Sequence, residues 1–140
     1  MKRTATAHWN GTIKEGKGDI TTQSGVLKAT PYAFNTRFDN GVGTNPEELI
    51  GAAHAGCFTM ALSAALTQAG ITPGNLETTA EVELDVPSLT ITNIVLNLKA
   101  DQIAGVASDK FMAIAAGAKE NCPVSKVLAG ATIMLNVEYR

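Results

Sequence analysis

The middle of the chain limits the fold most strongly, because Gly51–Leu62 is a run of mostly small and apolar residues. Just before this run, Asn45 is a favourable helix N-cap, Pro46 suits the first helical position, and Glu48 can complete a capping box. Gly70 is a typical helix terminator. We therefore predict one long helix from Pro46 to about Gly70. Six residues recur in it at helical spacing: Leu49, Ala52, Ala53, Gly56, Met60 and Ala64.

The composition of this helix indicates how it packs. Its many alanines and glycines allow another backbone to approach closely, so we expect it to contact another segment, including a second copy of the chain. The apolar stretch Ala52–Leu66 is interrupted by His54, Thr59 and Ser63. This pattern predicts a core helix rather than a membrane span.

Strand-like alternation of apolar and polar residues occurs on both sides of the helix. The predicted strands are Thr4–Trp9, Gly18–Thr22, Tyr32–Phe38, Thr79–Val86, Leu89–Leu98 with a bulge near Asn93, and Ile133–Tyr139. Two further helices are predicted to begin near Ser108 and Pro123. The order βββα–ββ–ααβ predicts an α+β fold with antiparallel sheets and a long central helix. The 140 residues suffice for a single domain, 1–140.

Charge and composition narrow the functional classes. Apolar residues make up 45% of the chain and charged residues 17%, with a formal net charge of -2 and no run of like charges. We therefore expect neither a nucleic-acid partner nor a membrane partner. The first nine residues lack the apolar segment of a secretory signal, which predicts a cytoplasmic protein.

The chain has only two cysteines, Cys57 and Cys122, and they do not form a CxxC motif. Burial in an apolar helix should raise the pKa of Cys57, so this thiol needs a cation to become reactive. Cys122 directly precedes Pro123, which places it at a helix start where a thiolate is favoured. These arguments allow either cysteine to be the attacking thiol. Two inert, buried cysteines are the alternative.

Arg37 is the strongest candidate for that cation, because it lies just before the loop that leads into the long helix. Glu48 could orient it, although a capping role alone would explain Glu48. On a straight helix Glu48 and Cys57 would lie roughly 13 Å apart along the axis and about 180° around it. Either Arg37 bridges this distance, or Glu48 serves the site of a second subunit. We favour a dimer with composite sites.

His54 precedes Cys57 by three residues, so both lie on one helix face. This spacing permits a Cys–His nucleophile pair or half of a metal site. A full set of four metal ligands would require both cysteines together with His8, the only other histidine. We expect no metal, and we favour a packing or hydrogen-bonding role for His54.

Several motifs taken together identify a family resemblance over nearly the whole chain. They are Ala7-His-Trp9, Gly16-Lys-Gly18, Ser24-Gly-Val-Leu27, Pro31–Phe38, Gly43–Phe58 and Cys122-Pro-Val-Ser125. With them the chain resembles the OsmC branch of the OsmC/Ohr family of thiol-dependent peroxidases. The resemblance implies an intertwined α+β homodimer with two interface sites. It also implies reduction of hydroperoxides, organic ones in preference to hydrogen peroxide, in oxidative or osmotic stress defence.

The resemblance also implies roles for individual residues. Cys57 would be the peroxidatic cysteine and Cys122 the resolving one, and the two would form a catalytic disulfide. Arg37 and Glu48 would be the activating arginine and its carboxylate partner. The reductant would be an external dithiol resembling dihydrolipoamide on a lipoylated protein, with no metal, flavin or haem. We expect an apolar pocket for the alkyl group, lined by Phe58, Met60 and Phe111.

Two other functions are compatible with the residues. A Cys–His acyl-transfer or hydrolase site could be built from His54 and Cys57. A non-enzymatic stress protein could instead bind small apolar ligands in a dimer cleft. The first would not need Cys122, and the second would not need Cys57.

Overall fold

The computed structural model describes all 140 residues, Met1–Arg140. They form two compact units, Met1–Leu49 and Ile50–Arg140, and each is described by itself. That the chain is a single domain stays a prediction.

The first unit contains a three-stranded antiparallel sheet of strands β1 (Ala5–Asn10), β2 (Lys17–Thr22) and β3 (Thr30–Tyr32), in that order. The first two predicted strands are therefore confirmed. Every residue of β1 is exposed in the single chain.

The strand predicted over Tyr32–Phe38 is wrong beyond Tyr32, because a short helix, α1, follows at Phe34–Phe38. Thr36 determines this change. Its hydroxyl accepts a hydrogen bond from the Ala33 backbone N–H and can donate to the Ala33 carbonyl, each at 2.9 Å, which favours a helical turn over an extended chain. Phe34 and Phe38 then meet one turn apart, with ring centroids separated by 4.7 Å.

The second unit contains a sheet of strands β4 (Leu76–Asp85), β5 (Thr90–Ala100) and β6 (Thr132–Tyr139), with β5 in the middle. The predicted bulge near Asn93 is confirmed. Glu83 of β4 pairs with Asn93 of β5, but the next residue, Leu84, pairs with Ile91, so the register shifts between them. Strands β4 and β5 are antiparallel, as expected. The expectation fails for β5 and β6, which run parallel, because a helical crossover connects them.

The long helix α2 spans Pro46–Gln68, as predicted. Its start is capped by Asn45, whose side-chain oxygen accepts a 2.8 Å hydrogen bond from the Glu48 backbone N–H. At its end Gly70 adopts a positive φ of 73°. The Ile71 N–H then donates to the Leu66 carbonyl at 2.9 Å, which closes the helix in the manner of a glycine C-cap.

The buried face of α2 is not the face that carries the periodic small residues. Five residues are buried along it: Gly51, His54, Phe58, Leu62 and Leu66. Most of the predicted periodic set lies on the outer face instead, where Ala52, Ala53, Gly56, Met60 and Ala64 are exposed. By length and composition alone α2 could also cross a membrane. Its inner face, however, packs in the core of this unit.

The core of the second unit brings α2 together with β5 and with helix α3 (Ser108–Asn121). Its largest fully buried side chains include Phe58, Leu62, Leu66, Leu96, Leu98 and Phe111. Phe111 stacks on Tyr139 of β6 with centroids 4.1 Å apart. Helix α4 (Pro123–Val127) directly follows α3, so the junction between these helices borders the same core. The two cysteines belong to this region.

Candidate active site

The structure brings together two cysteines that are 65 positions apart in the sequence. The sulfur of Cys57 on α2 lies 3.1 Å from that of Cys122, and both are free thiols. This distance is longer than a disulfide bond and suits a thiol hydrogen bond, so a small movement would allow bonding. Cys122 is fully buried, whereas Cys57 is partly accessible. Only Cys57 can therefore meet a dissolved substrate without a rearrangement.

Cys122 owes its position to the proline after it. Pro123 is the first residue of α4, and Cys122 is the N-cap, with an extended backbone at φ -60° and ψ 123°. Its N–H still donates to the Ala118 carbonyl of α3 at 2.9 Å. Cys122 thus ends one helix and begins the next, and its sulfur points into the core.

The surroundings of Cys57 oppose its ionisation. Burial raises the pKa of the Cys57 thiol, and the hydrogen bond with Cys122 raises it further. A hydrogen bond from the Val124 backbone acts in the opposite direction but is outweighed. No cation is among the influences on this pKa, although a reactive thiol in such surroundings needs one.

Cys122 behaves differently although it is more deeply buried. Burial raises its pKa, but hydrogen bonds from Cys57, from the backbone and side chain of Ser125, and from the Val124 backbone together outweigh burial. The pKa of Cys122 is consequently lowered. Within this pair, Cys122 is therefore the thiol that ionises more readily.

His54 contacts Ser125 rather than serving as a base for Cys57. The Nε2 atom of His54 lies 2.8 Å from the Ser125 hydroxyl, and both residues are buried. The other ring nitrogen, Nδ1, is buried without a hydrogen-bond partner, and burial lowers the pKa of His54. The ring is therefore neutral at neutral pH. The hydrogen-bonding role expected for His54 agrees with this contact, whereas the sequence alone indicates no role for Ser125.

Arg37 of α1 pairs with Glu47, the neighbour of the carboxylate predicted for it. Its Nε and Nη2 donate to Glu47 Oε1 at 3.1 and 2.8 Å. The expected partner Glu48 is exposed, whereas the side chain of Glu47 is only 15% exposed. A single residue step rotates a helical side chain by about 100°, which explains why the first position faces Arg37 and the second faces solvent.

The apolar side chains predicted to line a substrate pocket take other places. Phe58 and Phe111 are fully buried core residues, and Met60 is 75% exposed. The first unit instead contains a cavity of about 260 Å³ that Arg37 helps to line. This cavity is open to solvent, and four of its lining residues are aromatic: Trp9, Tyr32, Phe34 and Phe38.

The two histidines do not come together with the cysteines as a metal site would require. His8 lies 3.2 Å from Asp19 in the first unit, and His54 contacts Ser125 in the second. The structure contains no group of three or more histidine, cysteine or acidic side chains placed so that it could hold a metal ion. That the protein needs no metal stays a prediction.

Comparison with known proteins agrees with this arrangement. Residues 38–138 match the family described as OsmC-like protein. The chain is 53% identical over 124 residues to Peroxiredoxin OsmC of Escherichia coli (strain K12), which covers 87% of this chain and 86% of that protein. The chain therefore belongs to the OsmC-like family, and the resemblance inferred from its motifs is confirmed.

Solved structures show the same fold. An organic hydroperoxide resistance protein OsmC from Legionella pneumophila is 27% identical, with a TM-score of 0.69 over 96% of both chains. The organic hydroperoxide resistance protein OhrB of Bacillus subtilis is 25% identical, with a TM-score of 0.67 over 96% of this chain and 98% of that chain. The predicted α+β, OsmC-like fold class is confirmed, and the homodimer stays a prediction.

Proposed function

We propose that this protein is a thiol-dependent peroxidase that reduces organic hydroperoxides, and hydrogen peroxide more weakly, through a Cys57–Cys122 disulfide. The observation that carries the proposal is the 3.1 Å distance between the sulfurs of two free thiols that are 65 positions apart in the sequence, one partly accessible and one buried. The names of the relatives, a peroxiredoxin and organic hydroperoxide resistance proteins, support it.

Accessibility favours Cys57 as the peroxidatic residue. A peroxide must reach the attacking sulfur, and Cys122 is fully buried. Because the surroundings of Cys57 raise its pKa, we assign its activation to Arg37, which remains charged at any physiological pH. We assign the orienting carboxylate to Glu47 in place of Glu48, since Glu47 makes both hydrogen bonds to Arg37.

In the reaction that follows, the Cys57 thiolate attacks the terminal oxygen of the hydroperoxide. The O–O bond breaks, an alcohol leaves after protonation, and Cys57 becomes a sulfenic acid. The Cys122 thiolate then attacks that sulfur and displaces hydroxide, which takes up a proton to become water. The product is the Cys57–Cys122 disulfide, and an external dithiol reduces it in two exchange steps.

The aromatic cavity beside Arg37 supports a preference for organic hydroperoxides. Burying an alkyl group among aromatic rings is favourable by roughly 25 cal/mol per Å², a gain that hydrogen peroxide cannot make. A cavity of about 260 Å³ suits a small alkyl or aryl hydroperoxide. We therefore place the substrate's apolar part there and its peroxide group near the guanidinium.

We also propose that the active protein is a homodimer with composite sites. The outer face of α2 is a continuous apolar stripe of small residues around Met60, exposed in the single chain. Side chains of this kind are usually covered by protein. A second copy would cover them, together with strand β1, every residue of which is exposed in the single chain.

The assignments of reductant, cofactor and stress role rest on the resemblance to the family, whereas those of location and of absent partners rest on the N-terminal sequence and the charge. The reductant is a dithiol such as dihydrolipoamide on a lipoylated protein, and no prosthetic cofactor takes part. The protein acts in the cytoplasm in oxidative or osmotic stress defence, without a nucleic-acid or membrane partner.

The two competing functions have less support. A Cys–His hydrolase needs an imidazole that takes the proton of Cys57, but His54 contacts Ser125 instead, and burial disfavours the imidazolium that this transfer would form. A passive binding protein for apolar ligands gives no reason for the contact between the two sulfurs.

The proposal is tested by the consumption of tert-butyl hydroperoxide and hydrogen peroxide by wild type, Cys57→Ser and Cys122→Ser. Dihydrolipoamide and glutathione are compared as reductants. We expect turnover with the dithiol, faster with the organic peroxide, and loss of turnover in both variants. A wild-type protein that reacts no faster than a free thiol would refute the proposal. Ser63→Ala, on the same helix but away from the sulfurs, is the matched control.

A further inference from the structure

Two buried polar side chains, those of His54 and Ser125, lie next to the resolving cysteine and have no role in the proposed mechanism. His54 and Ser125 are in contact at 2.8 Å, with exposed fractions of 0% and 6%. Ser125 belongs to the first turn of α4, three residues after Cys122. Residues at the N-cap and three positions later face each other at a helix start. The hydroxyl of Ser125 thus contacts the imidazole, and its place in the first turn of α4 puts it within reach of the N-cap residue Cys122.

The unpartnered nitrogen of His54 determines the direction of the hydrogen bond between His54 and Ser125. A buried N–H without an acceptor costs more than a buried lone pair without a donor, so Nδ1 carries no hydrogen. The proton is then on Nε2, and His54 donates to the Ser125 oxygen. Because Ser125 accepts from His54, its own hydroxyl hydrogen is free to point at Cys122. The opposite tautomer would bury an unpaired Nδ1–H. It would also draw the Ser125 hydroxyl hydrogen towards His54 and away from Cys122.

We propose that His54 and Ser125 are positioning residues that aim one hydrogen bond at the Cys122 sulfur and so hold Cys122 as a thiolate. This inference rests on the proposed function, because it assigns the roles of the two sulfurs in the disulfide steps. The lowered pKa of Cys122, to which the Ser125 side chain contributes, agrees with it.

No charged side chain competes for this role. The titratable groups that face Cys122 are Cys57 and, through Ser125, His54, both on α2. On α3, Lys119 donates to the Ile133 carbonyl and pairs with Glu120. On α4, Lys126 is exposed.

The arrangement gives the disulfide steps a direction. In resolution, the Cys122 thiolate attacks the sulfenic sulfur of Cys57, and hydroxide leaves as water after protonation. In reduction, a thiolate of the dithiol attacks the accessible Cys57 sulfur, and the Cys122 thiolate leaves. The second thiol of the reductant then displaces the Cys57 thiolate and closes the reductant's own disulfide. A thiol of lower pKa leaves faster, so reduction goes through a mixed disulfide on Cys57.

The first test measures the ionisation of Cys122 without using enzyme activity. In Cys57→Ser protein Cys122 is the only cysteine, and its thiolate absorbs in the ultraviolet. Adding Ser125→Ala should raise the titration midpoint by about one pH unit or more, since a hydrogen bond to the charged form is lost. His54→Phe should raise it as well, whereas His54→Gln, which keeps an N–H donor, should leave it close to that of Cys57→Ser. Ser63→Ala is the control for an unrelated serine on α2.

The second test follows single-turnover conversion of the sulfenic acid to the disulfide by rapid quench and intact mass. A thiolate of lower pKa is a weaker nucleophile, and this weakness offsets about half of the rate gained from its larger ionised fraction. Per unit of raised pKa, Ser125→Ala should therefore be about threefold slower at low pH and no slower at high pH. If Ser125→Ala instead moved the Cys122 sulfur out of position, disulfide formation would be slower at every pH.

The outcomes separate the two proposals. A midpoint unchanged by Ser125→Ala, or a rate lowered equally at all pH values, overturns the role of His54 and Ser125 whether or not the enzyme turns over. If Ser125→Ala does not fold, the matched pair His54→Gln and His54→Phe decides, and identical midpoints in that pair overturn the role. If wild type forms no sulfenic acid while the midpoints shift as expected, the peroxidase proposal alone fails.

Discussion

Replacing Glu47 by glutamine is predicted to slow the reaction of Cys57 with hydroperoxide, whereas the same replacement at Glu48 is not. The two residues are neighbours on α2, but only Glu47 holds Arg37, through hydrogen bonds of 3.1 and 2.8 Å. Glutamine keeps the size of the side chain and removes its charge. Glu48 contributes to capping through its backbone N–H, which glutamine also provides.

The expected magnitude follows from the exposure of the pair. A hydrogen bond to a charged group contributes about 1.5–3 kcal/mol, and an exposed ion pair contributes about 0–1 kcal/mol. The Arg37 side chain is 37% exposed and that of Glu47 is 15% exposed, so an intermediate value of about 1–2 kcal/mol applies. If orientation of Arg37 limits the reaction, the rate constant should fall roughly 5–30-fold. Glu48→Gln should change it less than about twofold.

The assay is the second-order rate constant for Cys57 oxidation by tert-butyl hydroperoxide, in a Cys122→Ser background that isolates the first step. Arg37→Ala should lower the rate at least as much as Glu47→Gln, because it removes the cation itself. The double variant should be no slower than Arg37→Ala alone, since both act through one guanidinium. A loss of rate in Glu48→Gln but not in Glu47→Gln would refute the assignment.

Three further predictions concern stability and assembly. Burial lowers the pKa of His54 below its value in the unfolded chain, so unfolding in acid takes up a proton at this residue. The free energy of unfolding should therefore fall as the pH drops below about 6.5. Urea titrations should show a smaller fall for His54→Gln than for wild type. Phe111→Ala removes a fully buried ring stacked on Tyr139 and should lower the free energy of unfolding by about 3–5 kcal/mol, whereas the half-exposed Met112→Ala should cost less than about 0.5 kcal/mol by the same titration. Met60→Asp places a charge on the proposed dimer face of α2 and should shift sedimentation towards the monomer, whereas Val127→Asp on α4 should not; a monomeric wild type would contradict the dimer.

Local signals in the sequence were sufficient for most of the secondary structure. Helix α2 was predicted because Asn45, Pro46 and Gly70 determine where a helix begins and ends without tertiary contacts. The apolar residues after Tyr32 alternate like those of a strand, so their pattern predicts a strand where the structure has helix α1. One hydroxyl, that of Thr36, is enough to select the helical turn.

The geometry of the site could not be read from the sequence in the same way. The contact between sulfurs 65 positions apart depends on how α2 and the junction between α3 and α4 pack in one core. The choice between Glu47 and Glu48 depends on about 100° of helix rotation, which spacing alone does not fix. Ser125 stood in a recognised motif, and its position three residues after a helix-capping cysteine was the signal for a role.

The central claim is that Cys57 is oxidised first and that Cys122 closes the disulfide. Intact-mass measurement under non-reducing conditions, after one equivalent of tert-butyl hydroperoxide, tests it most directly. Wild type should lose two hydrogens as the disulfide forms, Cys122→Ser should gain one oxygen, and Cys57→Ser should stay unchanged. Gain of oxygen by Cys57→Ser together with an unreactive Cys122→Ser would contradict the account and reverse the roles of the two cysteines.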